Sequence, residues 1–272
     1  MKIKILKIAA LCVAVALIIS VLLFANSLLG NPISHILARS AAEKYIAEMY
    51  PDEGYAVDRT GFDFKFGRYY VYVSSERVKD GEFTIYASML GEILGDDYEL
   101  RVTERENVYW RINDDYRTAV NSVFDGWKSP YNVDLYYGMI EVVREEYTSE
   151  YGIGIKKSEL ELGGIYNLSL LGEEAGVVVM YVDSDEVSNE YAAEILLDFK
   201  RAMDSAGVGF CKLDLTLRYP PSDPEIPYER PEGEIWLHGF AASDIYEDGI
   251  LERIKTVRAE TEEYYNSQLG DK

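Results

Sequence analysis

The chain opens on an apolar block: Ile8 to Gly30 carries no charge, and Ile8 to Phe24 is almost wholly Ala, Val, Leu and Ile. Lys2, Lys4 and Lys7 are the charged residues before Arg39. A helix of that length reaches roughly 30–35 Å, enough to cross a hydrocarbon core. The pattern predicts a transmembrane anchor over 8–30 behind a stub over 1–7. The positive-inside bias puts the stub in the cytoplasm and the rest outside. A cleavable signal peptide is the alternative, with Ala25 and Ser27 as a small-x-small site. Its apolar core is ordinarily shorter, about 7–15 residues. Cys12 follows Leu11 too early in the run to suggest a lipid-attachment site.

Beyond Asn31-Pro32, the residues Ile33, Ile36, Leu37, Ala41, Tyr45 and Met49 recur at helical spacing and predict an amphipathic helix ending at Tyr50-Pro51. Phe62, Phe64 and Phe66 alternate with Asp63 and Lys65 as a strand does, and Gly67-Arg68 reads as a turn. Further strands follow at Tyr69–Val73 and at Phe83, Ile85 and Ala87. Tyr98–Val102 and Val108–Arg111 read as weaker strands. A helix opens at Asp114-Asp115 and runs through Tyr116, Val120 and Phe124, and another is expected over Val133–Tyr147.

The C-terminal pattern is sharper. Val177–Val182 reads as a strand buried on both faces. Asp183 and Ser184 are placed to cap a helix whose Val187, Tyr191, Ile195, Phe199 and Met203 share a face, and Gly207 ends it. Alternation over Cys211–Tyr219 predicts a long strand with Cys211 on the core side. A proline-rich loop over 220–231 leads to strand Glu234–Phe240, and a last helix carries Ile250, Leu251, Ile254 and Val257. The expected class is α+β: a transmembrane helix, an N-terminal domain over 31–125 built as a helix plus antiparallel meander, and a C-terminal domain over 133–272. The order strand–helix–strand–strand–helix suggests a ferredoxin-like sandwich for the latter.

Charge and composition narrow the function. The chain has 27 basic and 48 acidic residues. With three lysines and no acid in the first 29 residues, the remainder carries 24 − 48 = −24. That excess argues against binding nucleic acid or anionic lipid by charge. Cys12 and Cys211 offer no disulfide framework, and two histidines, His35 and His238, are too few for a histidine-based centre. Tyrosine is abundant, 23 against nine Phe, which suits half-buried strands and ligand-facing surfaces.

The stretch Gly30-Asn31-Pro32, Ala41-Ala42-Glu43-Lys44-Tyr45, Tyr50-Pro51, Tyr55, Phe64-Lys65-Phe66-Gly67 and Tyr69-Tyr70 resembles the YfjL-like proteins, most closely over 25–90. The resemblance implies an anchored or exported protein of Gram-positive bacteria with an N-terminal and a C-terminal domain. Those motifs are structural, and they carry over no catalytic residue, cofactor or metal ligand.

A search for chemistry selects none either. Neither histidine lies beside a nucleophile motif. Gly152, Gly154, Gly163 and Gly164 lack the residues of a phosphate loop and read as turns. Acids at Asp96-Asp97 and at Asp183, Asp185 and Glu186 are adequate for caps but do not form a calcium loop. The expectation is therefore a non-catalytic envelope binding module. It contacts the bilayer through its N-terminal helix, takes an envelope protein as partner, and binds no cofactor, metal or nucleic acid. Its contact surfaces are expected around Tyr69, Tyr70 and Tyr72 and at the loop from Tyr219 to Pro231. The alternatives are a carboxylate-dependent envelope hydrolase and a secreted form. A sensor relaying to the cytoplasm is disfavoured by the seven-residue stub.

Overall fold

A computed structural model describes residues 2–223, 225–226 and 229–270, with side chains of 2–10, 22, 23, 27 and 267–270 outside the description. The chain divides into two compact units, Met1–Asn107 and Val108–Lys272.

The first unit starts with α1 (Lys2–Leu29). Among the described residues no helix is long and apolar enough to cross a membrane, so the transmembrane anchor expected over 8–30 is corrected. The lysines expected to set its orientation lie outside the described side chains.

Gly30, at φ +77°, separates α1 from α2 (Pro32–Met49). A Cβ there would lie 2.7 Å from the Tyr69 hydroxyl and 2.8 Å from Phe62, so the backbone passes too close for any side chain. Asn31 caps α2 by accepting from the Ile33 N–H, and its own N–H donates to Tyr69 Oη at 2.7 Å. The buried stripe of α2 is Ser34, Ala38, Ala42 and Ile46. It is not the predicted one: Ile33, Ile36 and Met49 are more than half exposed. Small residues at i, i+4 spacing let the helix lie closely on a sheet whose own side chains are large.

That sheet is an antiparallel meander in the order β1 (Tyr55–Asp63), β2 (Arg68–Ser75), β3 (Phe83–Ala87), β4 (Ile93–Asp96). Its inner face presents Val57, Tyr69, Val71, Val73, Phe83, Ile85 and Ala87, all buried. Phe64 and Phe66, predicted to extend a strand, lie exposed in the turn between β1 and β2. Asp63 Oδ1 accepts from the N–H groups of Lys65 and Phe66 and closes the chain on itself, a local alternative to the ladder. The predicted strand over 98–102 is instead a π-helical turn, Glu99–Thr103.

The second unit begins with α3 (Glu106–Trp127), β5 (Asn132–Ile140), β6 (Val142–Val143), β7 (Ile155–Lys156) and α4 (Leu168–Ala175). It continues with β8 (Gly176–Asp183), α5 (Asn189–Ala206), β9 (Lys212–Arg218), β10 (Ile235–Ala241) and α6 (Ile250–Gly270). α3 starts before the predicted Asp114 and buries Val108, Ile112, Tyr116, Val120 and Phe124 in the second core, and the unit boundary falls at Asn107/Val108. The helix predicted over 133–147 is strand β5: Tyr136 pairs with Met180 and Ile140 with Gly176. β-branched and aromatic residues there fit a sheet better than a helix.

The main sheet has the order β10-β9-β8-β5, with β8 and β9 parallel and the outer pairs antiparallel. The ferredoxin-like expectation is thereby corrected. In that fold the two strands joined by a helix are separated by another strand, whereas β8 and β9, joined by α5, are direct neighbours. The sheet's inner face carries Val178, Met180, Val182, Leu213, Leu215, Leu217, Ile235, Leu237 and Phe240, packed with Ile195, Leu196, Phe199 and Met203 of α5. β8 is buried along nearly its whole length, as its apolar run predicts. Ser188 caps α5, accepting from the Tyr191 N–H, in place of Asp183 or Ser184. Gly207 ends it in the left-handed conformation, φ +68°. Cys211 stops half-buried just ahead of β9, and burial raises its thiol pKa.

Candidate functional site

The period of two that buries leucines on one face of the sheet delivers a different set to the other. In register, one row across this outer face runs Tyr137, Val179, Asp214, and the next runs Leu135, Tyr181, Thr216, Trp236. Asp183 and Arg218 form the row beyond. Above these rows lies a hollow of about 740 Å³. Five aromatic rings line it, each from a different element: Tyr137 from β5, Tyr151 from the β6–β7 connection, Tyr181 from β8, Trp236 from β10 and Tyr265 from α6. Gly152 and Gly154, read from sequence as turns, lie in the connection that carries Tyr151 and adopt φ of +69° and +144°.

A β-bulge organises the floor. Between Leu237 and Phe240 two residues of β10, His238 and Gly239, stand against the single residue Asp214 of β9. Gly239 takes φ +63°, a value glycine adopts without strain. The bulge aims both residues at one carboxylate: Gly239 N–H donates to Oδ1 at 2.6 Å, and His238 Nδ1 lies 3.2 Å from Oδ2. Tyr151 donates its hydroxyl to the same Oδ2 at 2.8 Å. The imidazole stacks on Tyr264 with centroids 5.3 Å apart and lies 4.8 Å from the Tyr151 ring. His238 N–H donates to Thr261 Oγ1, which in turn donates to the Val257 carbonyl. His238 Nε2 is buried and has no hydrogen-bond partner among the described residues.

These contacts set the protonation states. The hydrogen bond to Asp214 raises the His238 pKa, against the pull of burial. Burial is the main cause raising Tyr137, Tyr151 and Tyr265, so all three are neutral hydroxyl donors near neutral pH. Glu150 accepts from the Tyr264 hydroxyl at 3.2 Å.

Arg218 enters from the other end. Its guanidinium lies 4.9 Å above the Tyr181 ring, its Nε donates to Asp183 Oδ1 at 3.0 Å, and its Nη2 donates to Asp134 at 2.7 Å. Arg230 donates to the same Asp183 oxygen at 2.8 Å and to the Tyr219 carbonyl at 2.8 Å. Asp183, considered from sequence for a cap or a cation, is instead the buried counter-charge of two arginines. Asp96 and Asp97 are engaged likewise. Tyr45 donates to Asp96 and is itself pushed up to about 12 by that bond, while the Thr84 N–H donates to Asp97. Among the described residues no group of three or more His, Cys, Asp or Glu side chains could hold a metal ion.

A family model for the YfjL-like N-terminal domain matches residues 5–97, and one for the YfjL-like C-terminal domain matches residues 115–255. The chain belongs to the YfjL-like family. The second match contains the sheet, the bulge and most of the hollow, while Thr261, Tyr264 and Tyr265 lie past its end. No curated protein matches the chain, and no solved structure matches it.

The other surfaces singled out from sequence fall elsewhere. Tyr69 is wholly buried on the inner face of the first sheet, so it does not join Tyr70 and Tyr72, which point outward. That outer face is a ladder in which Arg59 lies 4.4 Å from the Tyr72 ring and Arg68 lies 4.0 Å from that of Tyr86. His35 is structural, with Nδ1 3.0 Å from Thr60 Oγ1 and its ring edge-on to Tyr69. Of the proline loop over 220–231, Arg230 is tied to the sheet end, and residues 224, 227 and 228 lie outside the described residues.

Proposed function

We propose that the C-terminal unit is a non-catalytic binding module that takes its ligand into the aromatic hollow on the outer face of the mixed sheet. The observation that carries this reading is the convergence of Tyr137, Tyr151, Tyr181, Trp236 and Tyr265 from five elements around one cavity. Trp236 and Tyr265 keep roughly two-fifths of their surface exposed, so ring surface is open to a ligand.

The polar groups support binding over turnover. A carboxylate hydrolase needs two acids facing each other across the scissile bond, one as proton donor and the other as base or nucleophile. Here Asp214 already accepts from Tyr151 and Gly239 and faces His238, and Glu150 accepts from Tyr264. Thr261 has both its hydroxyl roles filled within the fold.

The test is an indole ¹⁵N–¹H spectrum of the full chain against a library of small neutral and charged compounds, with the Trp236 signal assigned by Trp236→Phe. Expected are compounds that shift this signal, lose the effect in Tyr265→Ala, and are recovered chemically unchanged. A library in which nothing moves Trp236 refutes the binding site, and conversion of a bound compound refutes the non-catalytic part.

A further inference from the structure

We infer that the ligand of this cleft is an extended, uncharged saccharide chain that straddles the Trp236–Tyr265 pair. The inference rests on the binding reading above and adds the ligand's class and reach.

Reach comes from a second hollow. Beside the main cavity lies another of about 240 Å³, lined by Arg258, Glu262 and Asn266 on its far side. The two share Glu234, Trp236, Thr261 and Tyr265. The shared rings, Trp236 and Tyr265, sit 5.2 Å apart at a T-shaped angle and form a saddle between the hollows. A compact ligand fills one side of such a saddle. A chain of repeating units crosses it and places a unit in each hollow.

Class comes from charge and from which groups remain free. The ionisable groups lining the main hollow are Glu150, Asp214 and Glu234 against Arg218 and His238. Beyond the saddle, Arg258 lies 3.3 Å from Glu262 and is neutralised by it. A phosphate or carboxylate polymer would meet three carboxylates in the main hollow. A cationic chain would find Asp214 shielded by its three partners and Glu150 already accepting from Tyr264, which leaves it Glu234 at the saddle. What the cleft offers outward is ring faces and neutral tyrosine hydroxyls. Ring faces take the C–H faces of pyranoses, and hydroxyl groups take their hydroxyls. In an open groove each unit contributes little, so affinity should climb with the number of units engaged.

The experiment is a titration of the full chain, read at the Trp236 indole signal, with maltotetraose, cellotetraose and chitotetraose, with glucose and N-acetylglucosamine, and with tetraproline and tetralysine peptides. Expected is at least one tetrasaccharide binding tenfold or more tighter than its monomer. That difference should be lost in Tyr265→Ala and in Arg258→Ala/Asn266→Ala, the latter leaving the main hollow intact. A monosaccharide binding as tightly as its tetramer overturns the extended ligand. A peptide shifting Trp236 where no saccharide does overturns the saccharide class while leaving the binding site standing. Silence from every probe here overturns the inference, and silence in the wider library as well removes the binding reading with it.

Discussion

Asp183→Asn tests how the Arg218 end of the cleft is held. Asp183 is only 7% exposed, and one of its oxygens accepts from Arg218 Nε at 3.0 Å and from Arg230 Nη1 at 2.8 Å. The arginine side chains are 19% and 15% exposed, so water screens this cluster poorly. Hydrogen bonds to charged groups contribute about 1.5–3 kcal/mol each, roughly twice their neutral counterparts. Removing one partner of a buried ion pair costs about 3–5 kcal/mol because the remaining charge is stranded. Asn keeps a neutral acceptor, and Arg218 keeps Asp134 at 2.7 Å, which together soften the loss. The expected destabilisation is about 2–4 kcal/mol, measured by urea denaturation at neutral pH with tryptophan fluorescence. Asp134→Asn is the internal control: that side chain is 50% exposed, so its loss should cost about 1 kcal/mol or less. Equal and small effects from both substitutions would refute the argument, since the cluster would then behave as an ordinary surface pair.

Two further outcomes follow from the same unit. Gly172→Ala would bring a Cβ to 2.0 Å from the Gly209 carbonyl oxygen, which already accepts from buried Tyr116 at 2.8 Å. With backbone on one side and a packed ring on the other, the cost should be roughly 3 kcal/mol, a fall in melting temperature of roughly 6–12 °C; an unchanged melt would contradict it. The His238–Asp214 contact predicts a pH dependence. Its folded pKa is raised by Asp214, so its contribution is full below the unfolded value of about 6.5 and is lost as pH rises through the folded value. Chemical denaturation from about pH 6 to pH 9 should therefore show stability falling in the native chain and a flatter profile in Asp214→Asn, whereas parallel profiles would remove His238 as the cause.

Most of the strands that carry the site were legible because their periodicity is strict. β9 alternates Leu213, Leu215 and Leu217 with Asp214, Thr216 and Arg218, and β8 is an uninterrupted apolar run. Periodicity failed where local hydrogen bonding outcompeted it, as at Asp63, which turns the chain before Phe64 and Phe66 can extend β1. It failed again on α2, where Ser34, Ala38 and Ala42, with Ile46, face the sheet in place of Ile33, Ile36 and Met49. Hydrophobicity weights isoleucine above alanine, but closeness of approach selects the smaller side chain. The sequence of β5 reads as a helix because Val133, Tyr136, Tyr137 and Ile140 also fit helical spacing, and only pairing with β8 decides between the two.

The hollow was not legible, because no short motif encodes it. Its residues are spread from Tyr137 to Tyr265 and meet only through strand register, the bulge at His238-Gly239 and the docking of α6. One signal was nevertheless present. Once β9 and β10 are given their inward leucines, the outward set follows by parity: Asp214, Thr216 and Arg218 on one strand, Trp236 and His238 on the next. A sheet face merely turned to solvent is served by charged and small polar residues. A tryptophan at an outward position is apolar surface that a cover would take out of water, and the histidine beside it faces a carboxylate. The glycine after His238 marks where the ladder slips and both groups turn onto Asp214. Read as a lone residue, His238 resembles an ordinary structural histidine. Read as the outward partner of Asp214 beside Trp236, it marks the outer face of the sheet, where the aromatic hollow lies.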